Sequence, residues 1–279
     1  MPTYEPIKLA SQVTVAIGNQ KGGVGKTLTT INFVRAAATL GLRVLAVDAD
    51  PQSNMTATLA PSHQGASLER SLATVLDRAK SHSLLDTIVA SEWDGVDVVP
   101  AGGEDLADAQ QNLVIMKAGR ESRLRRALAD VDGKYDIVFV DCPPSLDQLT
   151  INSLTAADAL LVVTEPGQYA LNGLDRLLDT IEIVREYTNP SLILAGVVIN
   201  GYKYTRRMDR WCNDIRTAFG ELAITVLDPP IHELTWIAEA QEAGLGLDEW
   251  PDPKATALHD MYLDKLRTVL DTIAKERTA

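Results

Sequence analysis

Lys21 and Lys26 bracket Gly22, Gly23, Val24 and Gly25, and Thr27 and Leu28 follow at once. Glycines set between two ammonium groups and next to a hydroxyl suit the binding of a polyphosphate. Glycine lets the backbone turn successive N–H groups inward around an anion, and a lysine adds a point charge for the outer phosphates. The Thr27 hydroxyl is of the type that ligates Mg²⁺ there. Carboxylates elsewhere could complete such a site. Asp48 and Asp50 lie in Val47-Asp48-Ala49-Asp50-Pro51-Gln52, and Asp141 ends the run from Tyr135. Phosphoryl transfer to water needs charge neutralisation, a fixed metal ion and an oriented water, and these residue types supply all three.

Such groups act together only if rigid elements deliver them. Val13 to Ile17 alternates like a buried strand, and Leu28 to Leu40 is alanine-rich with helical spacing. The glycine stretch therefore joins a strand to a helix, whose free N–H groups and positive dipole end add to an anion site. Val44 to Val47 is a β-rich run ending on Asp48, and Ile137 to Val140 leads into Asp141. Carboxyl ends of parallel strands are where α/β sheets place ligands. Further strands are expected at Val96 to Pro100, Ala159 to Thr164, Leu192 to Asn200 and, briefly, Leu222 to Val226. Helices are expected at Leu68 to Leu76, from Gly103 through about Val131, and at Ala170 to Tyr187, Thr205 to Phe219, Ile231 to Ala243 and Ala255 to Ala274. Ser53 to Ser67 reads as loop with a short helix, and Asp86 to Trp93 has no decisive pattern. The alternation predicts an α/β fold, a single doubly wound, mainly parallel β-sheet flanked by helices. Residues 1–11 are expected to form an N-terminal tail and 12–279 one domain.

At 279 residues and 46% hydrophobic content the chain has ample apolar surface for a full core. It has no run of about 18 apolar residues, the length a membrane span requires. Met1 to Gln12 contains Pro2 and Pro6 and no apolar signal core, so a cytoplasmic protein is expected. Cys142 and Cys212 have no ligand spacing and read as inert thiols, and His63, His82, His232 and His259 form no metal pattern. A net charge of −12 argues against a protein that coats nucleic acid with its whole surface, so local charge decides that question.

Gln20 to Thr27 reads Q-K-G-G-V-G-K-T, with Gln20 where the ordinary phosphate loop has glycine and Lys21 as an added lysine. This resembles the deviant Walker A motif of the ParA/MinD family of P-loop ATPases. Val47 to Gln52 resembles that family's D-x-D-P-Q motif, and Tyr135 to Ser145 has the Walker B shape. Leu149 to Asp158 and Ala170 to Leu174 are similar to the segments that follow Walker B, whereas Gly244 to Pro253 departs from the family's shorter pattern. The resemblance implies a Mg²⁺-dependent ATPase with ATP and Mg²⁺ as cofactors. Lys21, Gly22, Gly23, Val24, Gly25, Lys26, Thr27 and Leu28 would hold the nucleotide, and Lys21, Lys26 and Asp50 would be catalytic. Lys21 is implied to reach across a dimer interface to the partner's nucleotide. Thr27, Asp48 and Asp141 would surround the metal and Asp50 would position the attacking water, although the pattern leaves Asp48 and Asp50 interchangeable. Asn200 is implied at the adenine edge, where ordinary turn chemistry explains an Asn nearly as well, with Asp228-Pro229-Pro230 as a wall.

The last helix carries Leu258, Met261, Tyr262, Leu266, Val269, Leu270 and Ile273 at helical spacing, but its charges cancel. A membrane-surface helix wants excess Lys and Arg, so core packing and no stable membrane association are expected. The cysteines needed by iron–sulfur relatives and the C-terminal tyrosines needed by tyrosine-kinase relatives are not there. Two basic clusters stand out, Lys203, Arg206, Arg207, Arg210 and Arg216, and Lys117, Arg120, Arg123, Arg125 and Arg126. Phosphate contacts from such clusters give sequence-independent, salt-sensitive DNA affinity. The expectation is a short ParA-type partition ATPase without a helix-turn-helix. It would dimerise on ATP, bind nucleoid DNA non-specifically, and be released when a ParB-type centromere-binding protein stimulates slow hydrolysis. The competing class is a MinD-like or cargo-positioning ATPase acting on a membrane or a protein assembly, and a third is a metabolic or carrier ATPase.

Overall fold

Strand β1 (Val13–Gly18) is buried at every position, as a strand covered by helices on both faces must be. It runs through the glycine loop into α1 (Lys26–Thr39). The computed structural model describes residues 4–64, 69–77, 82–168, 170–233 and 235–278, and for 170–175, 235 and 238 the backbone alone. There follow β2 (Val44–Asp48), α2 (Asn54–Leu59), α3 (Leu72–Leu76), β3 (Val89–Ala90), β4 (Val96–Val99), α4 (Glu104–Ile115) and α5 (Arg123–Leu128). Then come β5 (Ile137–Asp141), α6 (Gln148–Ala156), β6 (Ala159–Thr164), α7 (Ala170–Tyr187) and β7 (Ile193–Ile199). Helices α8 (Arg206–Glu221), α9 (Thr235–Glu242) and α10 (Pro253–Thr278) complete the chain.

Among the described residues the sheet has seven strands in the order β3-β4-β2-β5-β1-β6-β7, all parallel except the short edge strand β3. Its alternation sorts side chains to two sides. Val13, Val15, Ile17, Ile137 and Phe139 face a cluster built with Phe33 of α1 and Tyr262 and Leu266 of α10. Leu45, Val47, Val138 and Val140 face α3 to α6, while Leu160 and Val162 pack on Leu177 and Ile181 of α7 and Ile215 of α8. Burying such a side chain contributes roughly 1.5–3 kcal/mol. The α10 stripe is thus core, as its charge balance predicted. No helix among the described residues is long and apolar enough to cross a membrane.

Register brings the chemistry to one edge. Ile17 and Asp48 both lie beside Asp141, Gly18 lies beside Val162, and Thr164 beside Ile199. The carboxyl ends of five adjoining strands therefore end together. On the tail, Ile7 N–H donates to the Leu40 carbonyl at 3.1 Å and Tyr4 OH to Asp260 at 2.7 Å, so residues 4–11 lie against α1 and α10.

Some expected boundaries differ. Leu222 to Val226 is not a strand, since Val226 alone bridges to Val197. The pairing resumes where Ile231 N–H donates to the Ile199 carbonyl, because the intervening Pro229 and Pro230 have no N–H to offer a ladder. Helix α9 starts at Thr235 and not Ile231, because residues 231–233 are held against Tyr202: Tyr202 N–H donates to Ile231, and Glu233 N–H to Tyr202. Helix α3 starts at Leu72, behind a Ser71–Thr74 capping box; the expected start at Leu68 lies outside the described residues. The unpatterned Asp86 to Trp93 contains the two-residue strand β3.

Candidate functional site

The loop between β1 and α1 turns through left-handed backbone at Gly23 and Gly25, with φ of +76° and +83°. Gly25 has a second constraint. The Asn200 amide nitrogen donates to the Val24 carbonyl at 3.0 Å, and a Cβ on Gly25 would overlap that nitrogen. Asn200, expected at the adenine edge, thus has one of its two amide N–H groups engaged in bracing the loop from the end of β7. Lys26 is only 6% exposed, and its ammonium donates to the Lys21 carbonyl at 3.1 Å. Burial pushes that ammonium below its usual range, while Asp141 and Asp50 pull it back up.

Asp141 receives hydrogen bonds from two hydroxyls of the first turns of α1, Thr27 at 2.7 Å and Thr30 at 3.0 Å. Asp48 sits beside it at the end of β2, and both carboxylates are fully buried. Burial, with the charge of Asp48 second, pushes Asp141 up to about 8; burial also lifts Asp48 to about 6, against the hydrogen bonds it accepts. Asp48 accepts from Thr56 N–H at 2.8 Å, Thr56 hydroxyl at 2.6 Å and Asp50 N–H at 3.2 Å. It therefore also ties α2 to the D-x-D-P-Q turn. Asp50 accepts from Gln52 N–H through Oδ1 at 2.9 Å, and its Oδ2 has no hydrogen-bond partner among the described residues. Burial raises the Asp50 carboxyl as well.

Two buried carboxylates side by side, with no cation in ion-pair contact among the described residues, call for a divalent ion. Mg²⁺ suits such a pair, since it takes one or two carboxylates and fills its shell with phosphate oxygens and water.

A family profile described as an AAA domain matches residues 12–194. The chromosome partitioning protein ParA of Caulobacter vibrioides is 40% identical over 234 residues, 82% of this chain and 84% of that one. The chain belongs to the ParA/MinD family. The sporulation initiation inhibitor protein Soj of Bacillus subtilis is 42% identical over 185 residues, covering 66% of this chain and 71% of Soj. Among solved structures, cobyrinic acid a,c-diamide synthase from Mycobacterium smegmatis with bound ATP analogue and magnesium is similar at TM-score 0.71 and 34% identity. That likeness covers 84% of this chain and 93% of the synthase.

In this ParA/MinD chain the added lysine, Lys21, is half exposed at the loop's rim and pairs with Glu165 at 2.9 Å. The first basic cluster divides. Lys203 pairs with Glu233 at 2.8 Å and Arg216 makes a two-pronged pair with Asp228 at 2.9 and 2.7 Å. Arg206, Arg207 and Arg210 are exposed at the start of α8, with no ion pair among the described residues. The second cluster is more involved in structure: Arg120 pairs with Glu121 at 2.7 Å, and Arg123 and Arg125 donate to the carbonyls of Val75 and Thr188. Burial pushes Cys142 up to about 12, in keeping with an inert thiol. The Asp228–Pro230 loop is held from below by Lys265, which is 2% exposed and donates to the Leu227 and Pro229 carbonyls.

Sequence reasoning did not single out Thr30, Thr56, Glu165 or Asn19. Thr30 was findable, since it lies three residues after Thr27 on the same helix face. Thr56 and Glu165 come to the site through tertiary packing, and no local pattern marks them.

Proposed function

We propose that this chain is a Mg²⁺-dependent ATPase of the partition type, which dimerises on ATP, binds DNA without sequence preference and releases it after partner-stimulated hydrolysis. The observation that carries the reading is the convergence of Lys26, Thr27, Asp48 and Asp141 at one edge of the sheet, with a second lysine, Lys21, at the loop's exposed rim. Loop N–H groups and Lys26 would neutralise the phosphates. Thr27 and Asp141, with Asp48 behind them, would hold Mg²⁺, which supplies charge stabilisation to the phosphates when bound. Asp50, with one carboxylate oxygen open, would orient the attacking water. Lys21 would add a cation to the nucleotide of the partner subunit, and Arg206, Arg207 and Arg210 would contact DNA phosphates. Slow turnover and a ParB-type partner accord with the relatives named ParA.

Binding to non-specific duplex DNA with ATP and with ADP, over a salt series, tests the reading, with Asp50→Ala included to hold the ATP state. DNA bound only with ATP, falling steeply with salt and lost in Arg206→Glu/Arg210→Glu, is the expected result. No DNA binding in any nucleotide state at low salt, with ATP hydrolysis intact, turns the reading to a protein or membrane cargo.

A further inference from the structure

Both lysines of the loop are engaged by their own chain. The Lys26 ammonium donates to the Lys21 carbonyl at 3.1 Å, and the Lys21 ammonium pairs with Glu165 at 2.9 Å. The second pair has a fixed base. Asn19 donates to the Val163 carbonyl at 2.6 Å and accepts from Lys21 N–H at 3.0 Å, which pins the lysine's backbone to the end of β6. Glu165 is the next residue after that strand. On its other side lies Gly201, with φ of +70°, where an added Cβ would stand 3.4 Å from Glu165 Cγ and Oε1. The carboxylate therefore rests between the phosphate loop and the backbone that follows Asn200. Among the described residues, no other cation pairs with it.

A lysine that must reach a nucleotide on another subunit first has to leave a carboxylate at 2.9 Å. We propose that Glu165 is a latch for Lys21, holding it on its own subunit in the monomer and setting how readily the ATP-bound dimer forms. This rests on the reading of Lys21 as the cross-subunit lysine. The side chains of Lys21 and Glu165 are 51% and 33% exposed, so each latch has the modest strength of a surface ion pair, worth roughly 1.4- to 5-fold in an equilibrium constant. Two latches open per dimer. Removing them therefore tightens dimerisation by roughly 2- to 25-fold at low salt, and by less at high salt, where exposed charges are screened.

The test is sedimentation velocity on the full chain with Mg²⁺ and a non-hydrolysable ATP analogue, at low and high salt, for wild type, Glu165→Gln, Lys21→Ala and the double variant. Fluorescent-nucleotide titration at dilutions where the chain is monomeric serves as the control, and Glu165→Gln is expected to leave that affinity unchanged. The latch predicts tighter dimerisation of Glu165→Gln at low salt, a gap that closes at high salt, and a double variant that behaves like Lys21→Ala. Equal dimerisation of wild type and Glu165→Gln at low salt overturns the latch. Weaker dimerisation of Glu165→Gln overturns it too and makes Glu165 a cross-subunit contact. Dimerisation of Lys21→Ala as tight as wild type instead overturns the cross-subunit reading of Lys21, and the latch with it.

Discussion

Gly25→Ala should be far more costly in the native chain than in a chain that lacks the Asn200 side chain. At φ +83°, an alanine faces left-handed strain of about 1–2 kcal/mol. Its Cβ also overlaps the Asn200 amide, so that group must swing off the Val24 carbonyl. Val24 is fully buried, and an unpaired buried acceptor costs about 1–3 kcal/mol. Gly25→Ala alone is therefore expected to cost about 2–5 kcal/mol in the nucleotide-free protein. Asn200→Ala alone removes the same hydrogen bond, at about 1–3 kcal/mol. In the double variant the clash is gone and the bond is already lost, so Gly25→Ala adds only its strain. The two changes should fall short of additivity by about 1–3 kcal/mol, which is a measurable coupling for touching residues. Urea unfolding of the four proteins, followed by far-UV circular dichroism without nucleotide, gives the cycle. Additive losses would refute the steric argument and show that the loop makes room for a methyl group at little cost.

Other outcomes follow from neighbouring features. Because burial and Asp48 raise Asp141 to about 8, the folded chain keeps a proton that the unfolded chain has lost. Stability of the metal-free protein should therefore fall as pH rises from the ordinary carboxylate range to about 8, by up to about 1.4 kcal/mol per unit for one proton. Urea midpoints in chelator across that range check this, and Asp141→Asn should flatten the slope. Thr30→Val removes a hydroxyl that donates to Asp141 at 3.0 Å, so it should raise that carboxyl further and move the pH midpoint of Mg²⁺-nucleotide binding upward, as read by fluorescent-nucleotide titration. Arg35 grips Asp248 through two bonds of 2.7 Å and Glu249 through one of 2.9 Å, and the Asp248 side chain is 8% exposed. Arg35→Ala strands a buried carboxylate and should cost about 3–5 kcal/mol by chemical denaturation. Arg35→Lys should recover only part of this, because an ammonium cannot make the two-pronged contact.

The strands that end on Asp48 and Asp141, and the loop from Lys21 to Thr27, were legible because each is a local pattern: an apolar run closed by an acid, or glycines between strand and helix. No local pattern pairs Asp48 with Asp141, since β2 and β5 are separated by β3 and β4 in the chain and meet only in the sheet; the family resemblance alone put both at the metal. Their adjacency decides their electrostatics. Asn200 was noticed for its place at a strand end, but its donor is aimed at Val24, a contact spanning 176 positions that no periodicity reports. The departure at Gly244 to Pro253 also acquires a reason. Arg35 draws Asp248 and Glu249 onto α1, with its guanidinium 5.3 Å above the Trp93 ring, so this loop fastens α1 to the start of α10.

The margins of the sheet restrict how copies of the chain can meet. On one side the outermost strand is only two residues long and antiparallel; on the other, Thr225, Leu227 and Ile231 already occupy the outer rungs of β7 at Val197 and Ile199. Sideways zippering of one sheet onto another, the route to open-ended fibres, finds few free rungs near the site. The proposed ATP dimer would instead set the carboxyl ends of the strands against their own copy, and contact between like surfaces closes after two subunits.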